Sequence, residues 1–134
     1  MAKVEAVGKA VLDAAMRVHS ELGPGLLEST YEVCLASELA CRGLELKRQV
    51  ELPVCYRGKR ISAGYRLDML VERLVVIELK AVDELNKVHL AQVLSYLRLG
   101  NFTLGYLLNF NVAHMRDGIR RVVYEHEYDI PSRP

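Results

Sequence analysis

The residues best suited to chemistry are two carboxylates and a lysine in one short stretch, Asp68, Glu78 and Lys80. Apolar residues alternate around them, and this period of two predicts two adjacent β-strands with a turn at Glu72 and Arg73. Glu78 and Lys80 should therefore project from one face, and the other strand can bring Asp68 beside them. Burying such charges without a partner is costly. A divalent cation with oxygen ligands, usually Mg²⁺, would neutralise the carboxylates, with Lys80 directed at whatever binds the open side of the metal.

The same pattern also has an ordinary explanation, because a solvated hairpin with a Glu-x-Lys pair on its surface is common. Four consecutive apolar residues, Leu74 to Ile77, argue against it. A run of this kind is typical of a strand that is buried on both faces. Charged side chains at the end of a buried strand require a structural or chemical reason.

Length and composition indicate one ordinary globular domain. The chain has 134 residues, of which 51% are hydrophobic and 26% charged, so a single core is expected. No apolar run approaches the roughly 18 residues of a membrane span, and the N-terminus lacks the apolar core of a signal peptide. We therefore expect a cytoplasmic protein that forms one domain over residues 1–134, with a core at about 5–124 and a frayed tail at 125–134. The cysteines and histidines lack the spacing of zinc ligands.

A basic segment leads into the predicted hairpin, although the net charge of the chain is only +1. Between Lys47 and Arg66, six basic residues stand against one glutamate, which leaves a local surplus of +5. Such a segment suits a phosphate backbone, with Arg57, Lys59, Arg60 and Arg66 as candidate contacts to nucleic acid. A solvated hairpin with charged edge strands explains any single one of these residues equally well.

The spacing of apolar residues predicts three helices, over residues 3–22, about 26–42 and about 89–99. Predicted strands cover residues 45–56, the two arms of the hairpin, 103–109 and 119–124. The first strand is expected to bend or break at Pro53, and Arg57 to Lys59 to form the turn that leads into the hairpin. The order ααβββαββ predicts an α/β fold with a mixed central β-sheet flanked by helices.

Two further groups stand at helical spacing. Gln92 and Tyr96 are four residues apart, so they share one face of the third helix, which must pack back near the end of the hairpin. An exposed glutamine and a buried, satisfied tyrosine would also explain this pair. Glu28 and Tyr31 lie one turn apart on the second helix, shortly after Gly25. A glutamate in a first turn is favourable simply because it faces the positive end of the helix dipole.

These motifs resemble known families. Asp-x9-Glu-x-Lys at residues 68–80 resembles the signature of the PD-(D/E)XK nuclease superfamily, with Leu67 in place of the proline. The pair at residues 92 and 96 is similar to the additional Gln-x-x-x-Tyr motif of RecB-type nucleases. Gly-x-x-Glu-x-x-Tyr at residues 25–31, together with the sequences at 22–28, 88–92 and 108–112, resembles the GxxExxY proteins, which are grouped with the same superfamily. This resemblance covers about residues 5–123.

The resemblance implies the restriction-endonuclease-like fold, a three-layer sandwich, and a metal site. Asp68, Glu78 and the backbone carbonyl of Leu79 would ligate Mg²⁺ or Mn²⁺, with waters completing the octahedron. Glu28 would enter from the second helix, either as a direct ligand or through a water.

The same resemblance implies roles for the remaining site residues. Lys80 would orient the attacking water and stabilise charge on the phosphate, and the residues leave open whether it is also the base. Gln92 and Tyr96 would position the lysine, the phosphate or a water. The expected reaction is metal-assisted hydrolysis of a phosphodiester bond.

A different class of function competes with this interpretation. At this size we expect no separate target-recognition domain, which would favour a nucleic-acid-binding or protein-interaction module that keeps the nuclease fold without turnover. The presence of every acidic and lysine position argues against that alternative. The residues do not distinguish DNA from RNA, exonuclease from endonuclease, or a monomer from a homodimer.

Overall fold

The computed structural model describes residues 2–126, so most of the predicted tail, residues 127–134, lies outside the described residues. The helices and strands of the described part are α1 (Ala2–Leu22), α2 (Glu28–Cys41), β1 (Leu46–Glu51), β2 (Val54–Tyr56), β3 (Lys59–Ile61), β4 (Arg66–Val71), β5 (Val75–Lys80), α3 (Lys87–Gly100), β6 (Leu104–Asn109), a short 3-10 helix (Met115–Gly118) and β7 (Ile119–Val123). Within residues 2–126, no helix combines the length and the apolarity needed to cross a membrane.

The central sheet has the strand order β1-β4-β5-β6-β7. β5 and β6 run parallel, and the other neighbouring strands are antiparallel, so the sheet is mixed. One face packs against α1 and α2, and the other packs against α3. The prediction of an α/β fold with a mixed central sheet between helical layers is confirmed.

β5 forms the centre of this arrangement. Its residues Val75 to Leu79 are all buried, as the apolar run in the sequence predicts. Ile77 and Leu79 join the core on the α1 and α2 side, whereas Val76 joins the core on the α3 side. α1 approaches the sheet closely at Gly8, where an added Cβ would lie 3.0 Å from Leu104 and Tyr106.

The predicted strand at 45–56 is wrong in extent, and the predicted order ααβββαββ lacks two strands. The chain leaves the main sheet at Leu52 and Pro53, because proline has no N–H to offer a ladder. Leu52 N–H instead donates to the carbonyl of Tyr65 at 2.8 Å. β2 then pairs with β3 in a separate two-stranded hairpin, so the turn at Arg57 and Gly58 leads into β3 and not into the strand that carries Asp68.

Candidate active site

The β4–β5 hairpin opens at the end that carries the conspicuous acidic residues. Regular pairing runs from Val71–Val75 to Met69–Ile77 and stops before Asp68 and Glu78. Beyond that point, Asp68 N–H donates to Glu78 Oε1 at 3.0 Å, and Leu79 N–H donates to Asp68 Oδ2 at 2.9 Å. We call this region, Asp68 with Glu78 to Lys80, the open end. Its two carboxylates accept bonds from the main chain of the opposite strand, so their positions are fixed by the sheet.

The two carboxylates are held in an environment that disfavours their charge. Burial raises the pKa of Glu78 to about 8, and the nearby Asp68 adds to the rise. The pKa of Asp68 is also raised, mainly by burial, while its bond from Leu79 N–H acts in the opposite direction. Both groups gain from a neighbouring positive charge. A cation bound at the open end would therefore stabilise the ionised form of both carboxylates.

Lys80 supplies part of that positive charge. It lies on β5, two residues after Glu78 and on the same strand face, and its ammonium lowers the pKa of both carboxylates. Lys80 takes part in none of the ion pairs within 4 Å among residues 2–126. Immediately beyond it, residues 82–87 and His89 line an open depression of about 720 Å³. A group bound at the end of β5 would find space and an ammonium that has no ion-pair partner among the described residues.

Glu28 approaches the open end from α2. Its side chain is exposed in the first turn of the helix. Partial burial raises the pKa of Glu28, the charge of Asp68 raises it further, and that of Lys80 lowers it. Glu28 is thus electrostatically coupled to the open end, although it lies 40 residues before Asp68 in the chain.

The loop that carries Glu28 is fixed by Tyr31. The buried hydroxyl of Tyr31 donates to the carbonyl of Gly23 at 2.5 Å and accepts from Leu26 N–H at 3.1 Å. Its ring stacks on Phe110 with centroids 4.6 Å apart. Gly25 has a φ of 96°, a conformation that glycine adopts without strain. The spacing Gly-x-x-Glu-x-x-Tyr therefore has a physical basis, because the tyrosine holds the turn from which the glutamate emerges.

Two asparagines that the sequence interpretation missed brace the same end of the sheet. Asn109 is buried, and its amide both accepts from Val82 N–H at 3.1 Å and donates to the Val82 carbonyl at 2.9 Å. Asn111 Oδ1 accepts from Gly25 N–H at 3.1 Å. The parallel register that sets Asn109 beside Lys80 depends on strand order. A single sequence does not reveal that order.

Tyr96 and Gln92 approach from α3, on the other face of the sheet. Tyr96 is buried, and burial raises the pKa of its phenol, with Glu78 and Asp68 as further causes. Gln92 is exposed one turn earlier, and its hydrogen bond to the phenol lowers that pKa. The pair thus shares one helix face, as its spacing predicts, and the phenol lies within electrostatic range of both carboxylates.

The candidate nucleic-acid contacts lie near the open end but outside it. Arg57, Lys59 and Arg60 are exposed on the β2–β3 hairpin, and Arg66 is exposed at the start of β4. The hairpin follows β1 and precedes β4, and β4 begins at Arg66, two residues before Asp68. It therefore extends from the same end of the sheet as the carboxylates. This placement is compatible with a phosphate contact and also with a solvated hairpin.

A further carboxylate, the buried Glu32, was also missed. It is 7% exposed and lies one turn after Glu28 on α2. Its oxygens accept from Arg48 Nε at 2.9 Å and from Gln49 Nε2 at 3.1 Å. The four-residue spacing from Glu28 was the available signal.

The donor set at the open end fits a magnesium-type ion better than a metal that needs a closed cage. Within residues 2–126, no three His, Cys, Asp or Glu side chains form a ready metal-holding group. Mg²⁺ usually keeps several waters and is bound by one or two carboxylates plus the phosphates of a substrate. Asp68 and Glu78, whose raised pKa values show that a nearby positive charge would stabilise them, supply those two carboxylates.

A comparison of the sequence with known protein families agrees with these features. A family model of the PD-(D/E)XK nuclease superfamily matches residues 5–122, so the chain belongs to that superfamily. The mixed sheet between helical layers is consistent with its restriction-endonuclease-like fold. Nucleases of the superfamily generally depend on a divalent metal and act on nucleic acid. No curated protein and no solved structure matches the chain.

Proposed function

We propose that this protein is a metal-dependent nuclease that hydrolyses phosphodiester bonds of DNA or RNA. The observation that carries the proposal is the pair of cross-strand carboxylates at the open end, Asp68 and Glu78, together with the ammonium of Lys80, which forms no ion pair within residues 2–126. Such a group is costly to keep without a cation and a polyanionic ligand. Membership of the nuclease superfamily supports it.

Asp68, Glu78 and the carbonyl of Leu79 are the proposed ligands of Mg²⁺ or Mn²⁺, with Glu28 as a further ligand, direct or through a water. A divalent cation held by these residues would polarise a phosphoryl oxygen and lower the pKa of a bound water. The protein itself fixes both carboxylates through the main-chain bonds from Asp68 and Leu79. This holds the donors in place before any ligand arrives.

The remaining residues act on the substrate. Lys80 stabilises negative charge on the phosphate and orients the attacking water, because its ammonium has no competing ion pair among the described residues. The Tyr96 hydroxyl, with Gln92 beside it, positions the lysine, the phosphate or that water. Arg57, Lys59, Arg60 and Arg66 hold more distant phosphates of the strand.

Three narrower assignments complete the proposal. The motif at residues 25–31 supports a place among the GxxExxY proteins. Composition supports a cytoplasmic location. A homodimer is compatible with the small size of the chain, and sedimentation at several protein concentrations would test it.

The test is cleavage of a mixed pool of single-stranded and double-stranded DNA and RNA with Mn²⁺, with Mg²⁺ or with a chelator. The variants should be Asp68→Asn and Glu78→Gln, because each keeps an oxygen that can accept the main-chain bond while the charge is lost. Alanine would instead leave a buried amide unpaired, at a cost of about 1–3 kcal/mol. We expect metal-dependent products from the wild type and none above background from either variant.

The same experiment separates the proposal from its competitor. A binding or interaction module would retain the nucleic acid without cutting it under any metal condition. Folded wild-type protein that binds Mn²⁺ yet never cleaves would replace the nuclease assignment with that module. Wild-type protein and both variants with equal Mn²⁺ affinity would remove the metal site from the open end.

A further inference from the structure

The buried carboxylate of Glu32 has no part in the chemistry proposed above. It lies on α2 and receives two donors from β1, Arg48 Nε at 2.9 Å and Gln49 Nε2 at 3.1 Å. Arg48 is partly exposed, with 42% of its side chain accessible, whereas the carboxylate side is 10% accessible. The two donors bind different oxygens of the carboxylate, Arg48 on Oε2 and Gln49 on Oε1, so both contacts form at once.

The two donors are consecutive residues of one strand, which is unusual. Side chains of consecutive strand residues point to opposite faces, yet Arg48 and Gln49 both reach the same carboxylate. The backbone at Gln49 accounts for this, since its φ is 52°. A residue with a side chain rarely adopts that conformation, and it persists only where the surroundings hold it. The bond from Gln49 to Glu32 is the contact that can hold it.

Gln49 also lies opposite Asp68. In the antiparallel register of β1 and β4, Arg48 pairs with Met69 and Val50 with Leu67, and the intervening position is skipped. The regular β4–β5 pairing stops before Asp68 as well. Asp68 is therefore outside the regular pairing with both neighbouring strands. On the β1 side, the left-handed Gln49 interrupts the pairing, and on the β5 side, the carboxylates of Asp68 and Glu78 accept the main-chain bonds instead.

We propose that Glu32 is a positioning residue that holds Gln49 in the left-handed conformation and thereby keeps the carboxylate of Asp68 in place at the open end. Glu32 acts from α2 through β1, without touching the metal or the substrate. The same helix carries Glu28, so α2 would position two carboxylates of the site, Glu28 directly and Asp68 through Gln49. The link to metal binding rests on the proposed function, whereas the link to the Asp68 geometry does not.

The first measurement needs no metal. Hydrogen exchange of individual amides, followed by NMR on the full chain in chelator, reports the bonds made by Asp68 N–H and Leu79 N–H. Glu32→Ala should accelerate exchange at these two amides and leave those of the regularly paired residues Leu70 and Val76 unchanged. Glu32→Gln, which keeps an oxygen to accept from Gln49, should stay close to the wild type.

A second substitution tests the route through Gln49. Glycine adopts a positive φ without strain, so Gln49→Gly should restore slow exchange at Asp68 and Leu79 in the Glu32→Ala background. A purely electrostatic role would give no such rescue, and it would make Glu32→Gln as disruptive as Glu32→Ala. Either of those results would overturn the proposal, as would unchanged exchange in Glu32→Ala.

Titration with Mn²⁺ alone tests whether Glu32 affects metal binding at the open end. Loss of a residue that orients a ligand typically weakens metal affinity about 10- to 100-fold, and we expect a loss of that size in Glu32→Ala and recovery on adding Gln49→Gly. The matched control is Glu38→Ala, which removes another α2 carboxylate whose partner, Arg42, immediately follows the same helix. A wild type without Mn²⁺ affinity would refute the proposed function, and the exchange data would still decide the role of Glu32.

Discussion

The two ends of the β4–β5 hairpin are held together in different ways. At the turn end, Val71 and Val75 are fully buried and pair regularly, and the turn is closed by Leu74 N–H donating to the Val71 carbonyl at 3.0 Å. At the open end, the carboxylates of Asp68 and Glu78 have taken over as acceptors. Within three residues, the acceptors of the main-chain N–H groups thus change from main-chain carbonyls to side-chain carboxylates.

The difference separates stability from chemistry along one hairpin. Full burial of a valine stabilises a protein by about 1.5–3 kcal/mol, so the turn end contributes to folding. The carboxylates at the open end, the buried Glu78 and the partly buried Asp68, have raised pKa values because the fold disfavours their charge. Strongly perturbed pKa values of neighbouring carboxylates are typical of functional sites. Changes at the open end should therefore alter ligand chemistry, whereas matched changes at the turn end should not.

The largest expected effect comes from Lys80→Met, which keeps most of the apolar stem and removes the charge. Loss of one group that stabilises transition-state charge costs about 10²- to 10³-fold in rate, while Mn²⁺ and nucleic-acid binding should persist. Single-turnover cleavage and direct binding measure the two separately. Arg73→Met, at the turn end, is the control and should cleave normally. A Lys80→Met protein that cuts at the wild-type rate would leave the lysine without a chemical role.

The contrast between the ends was only partly visible in the sequence. The apolar run at 74–77 and the alternation around Asp68 were sufficient to predict the hairpin, its buried strand and the shared face of Glu78 and Lys80. These features are local, and the period of two fixes them. The small β2–β3 hairpin was missed because the residues around Pro53 have strand character, and only the pairing reveals that the chain has left the sheet.

The unforeseen site residues share a different property. Glu32 contacts residues 16 and 17 positions away, and Asn109 contacts Val82, 27 positions away. Their roles depend on which elements become neighbours, and that is decided by strand order and helix packing. The positive φ of Gln49 is similarly invisible in a single sequence, because nothing in its residue type requires it.

The pH dependence of stability offers the next test of the two ends. Glu78 has an ordinary pKa of 4.5 and a folded-state pKa of about 8. Below pH 4.5 both states hold the proton, but between 4.5 and 8 the unfolded state releases it first. The free energy of unfolding should therefore fall as pH rises through that window, by at most about 1.4 kcal/mol per unit, and level off above 8.

Urea unfolding in chelator at several pH values measures this dependence. Glu78→Gln should flatten the slope, whereas Glu72→Gln, which removes a carboxylate at the turn end, should keep it. Because metal binding requires the ionised form, Mn²⁺ affinity of the wild type should rise with pH up to about 8. Equal slopes in wild type and Glu78→Gln would show that the open end does not oppose ionisation.

A smaller effect is expected from the basic hairpin. Replacing Arg57, Lys59 and Arg60 by serine should weaken nucleic-acid binding and reduce its salt dependence, by about 0.9 log-log units for each lost duplex phosphate contact. The charge-matched control replaces Lys3, Lys9 and Arg73, which are exposed elsewhere, two of them on α1 and one at the turn end. If both triple variants have the wild-type salt slope, the β2–β3 hairpin is a solvated surface.

The smallest effect is expected from Glu28→Gln, which tests whether the proposed metal site extends beyond the hairpin to α2. If Glu28 only complements the helix dipole, the change should cost about 0.3–1 kcal/mol of stability and leave Mn²⁺ affinity unaltered. We expect the other outcome, weaker Mn²⁺ binding with little loss of stability, because Asp68 and Lys80 both act on the pKa of Glu28. Calorimetric titration and urea unfolding of the same preparations distinguish the two. The control is Glu38→Gln, on the same helix but paired with Arg42, and it should change neither metal binding nor activity. If Glu28→Gln has the same Mn²⁺ affinity as this control, the metal site is limited to the hairpin.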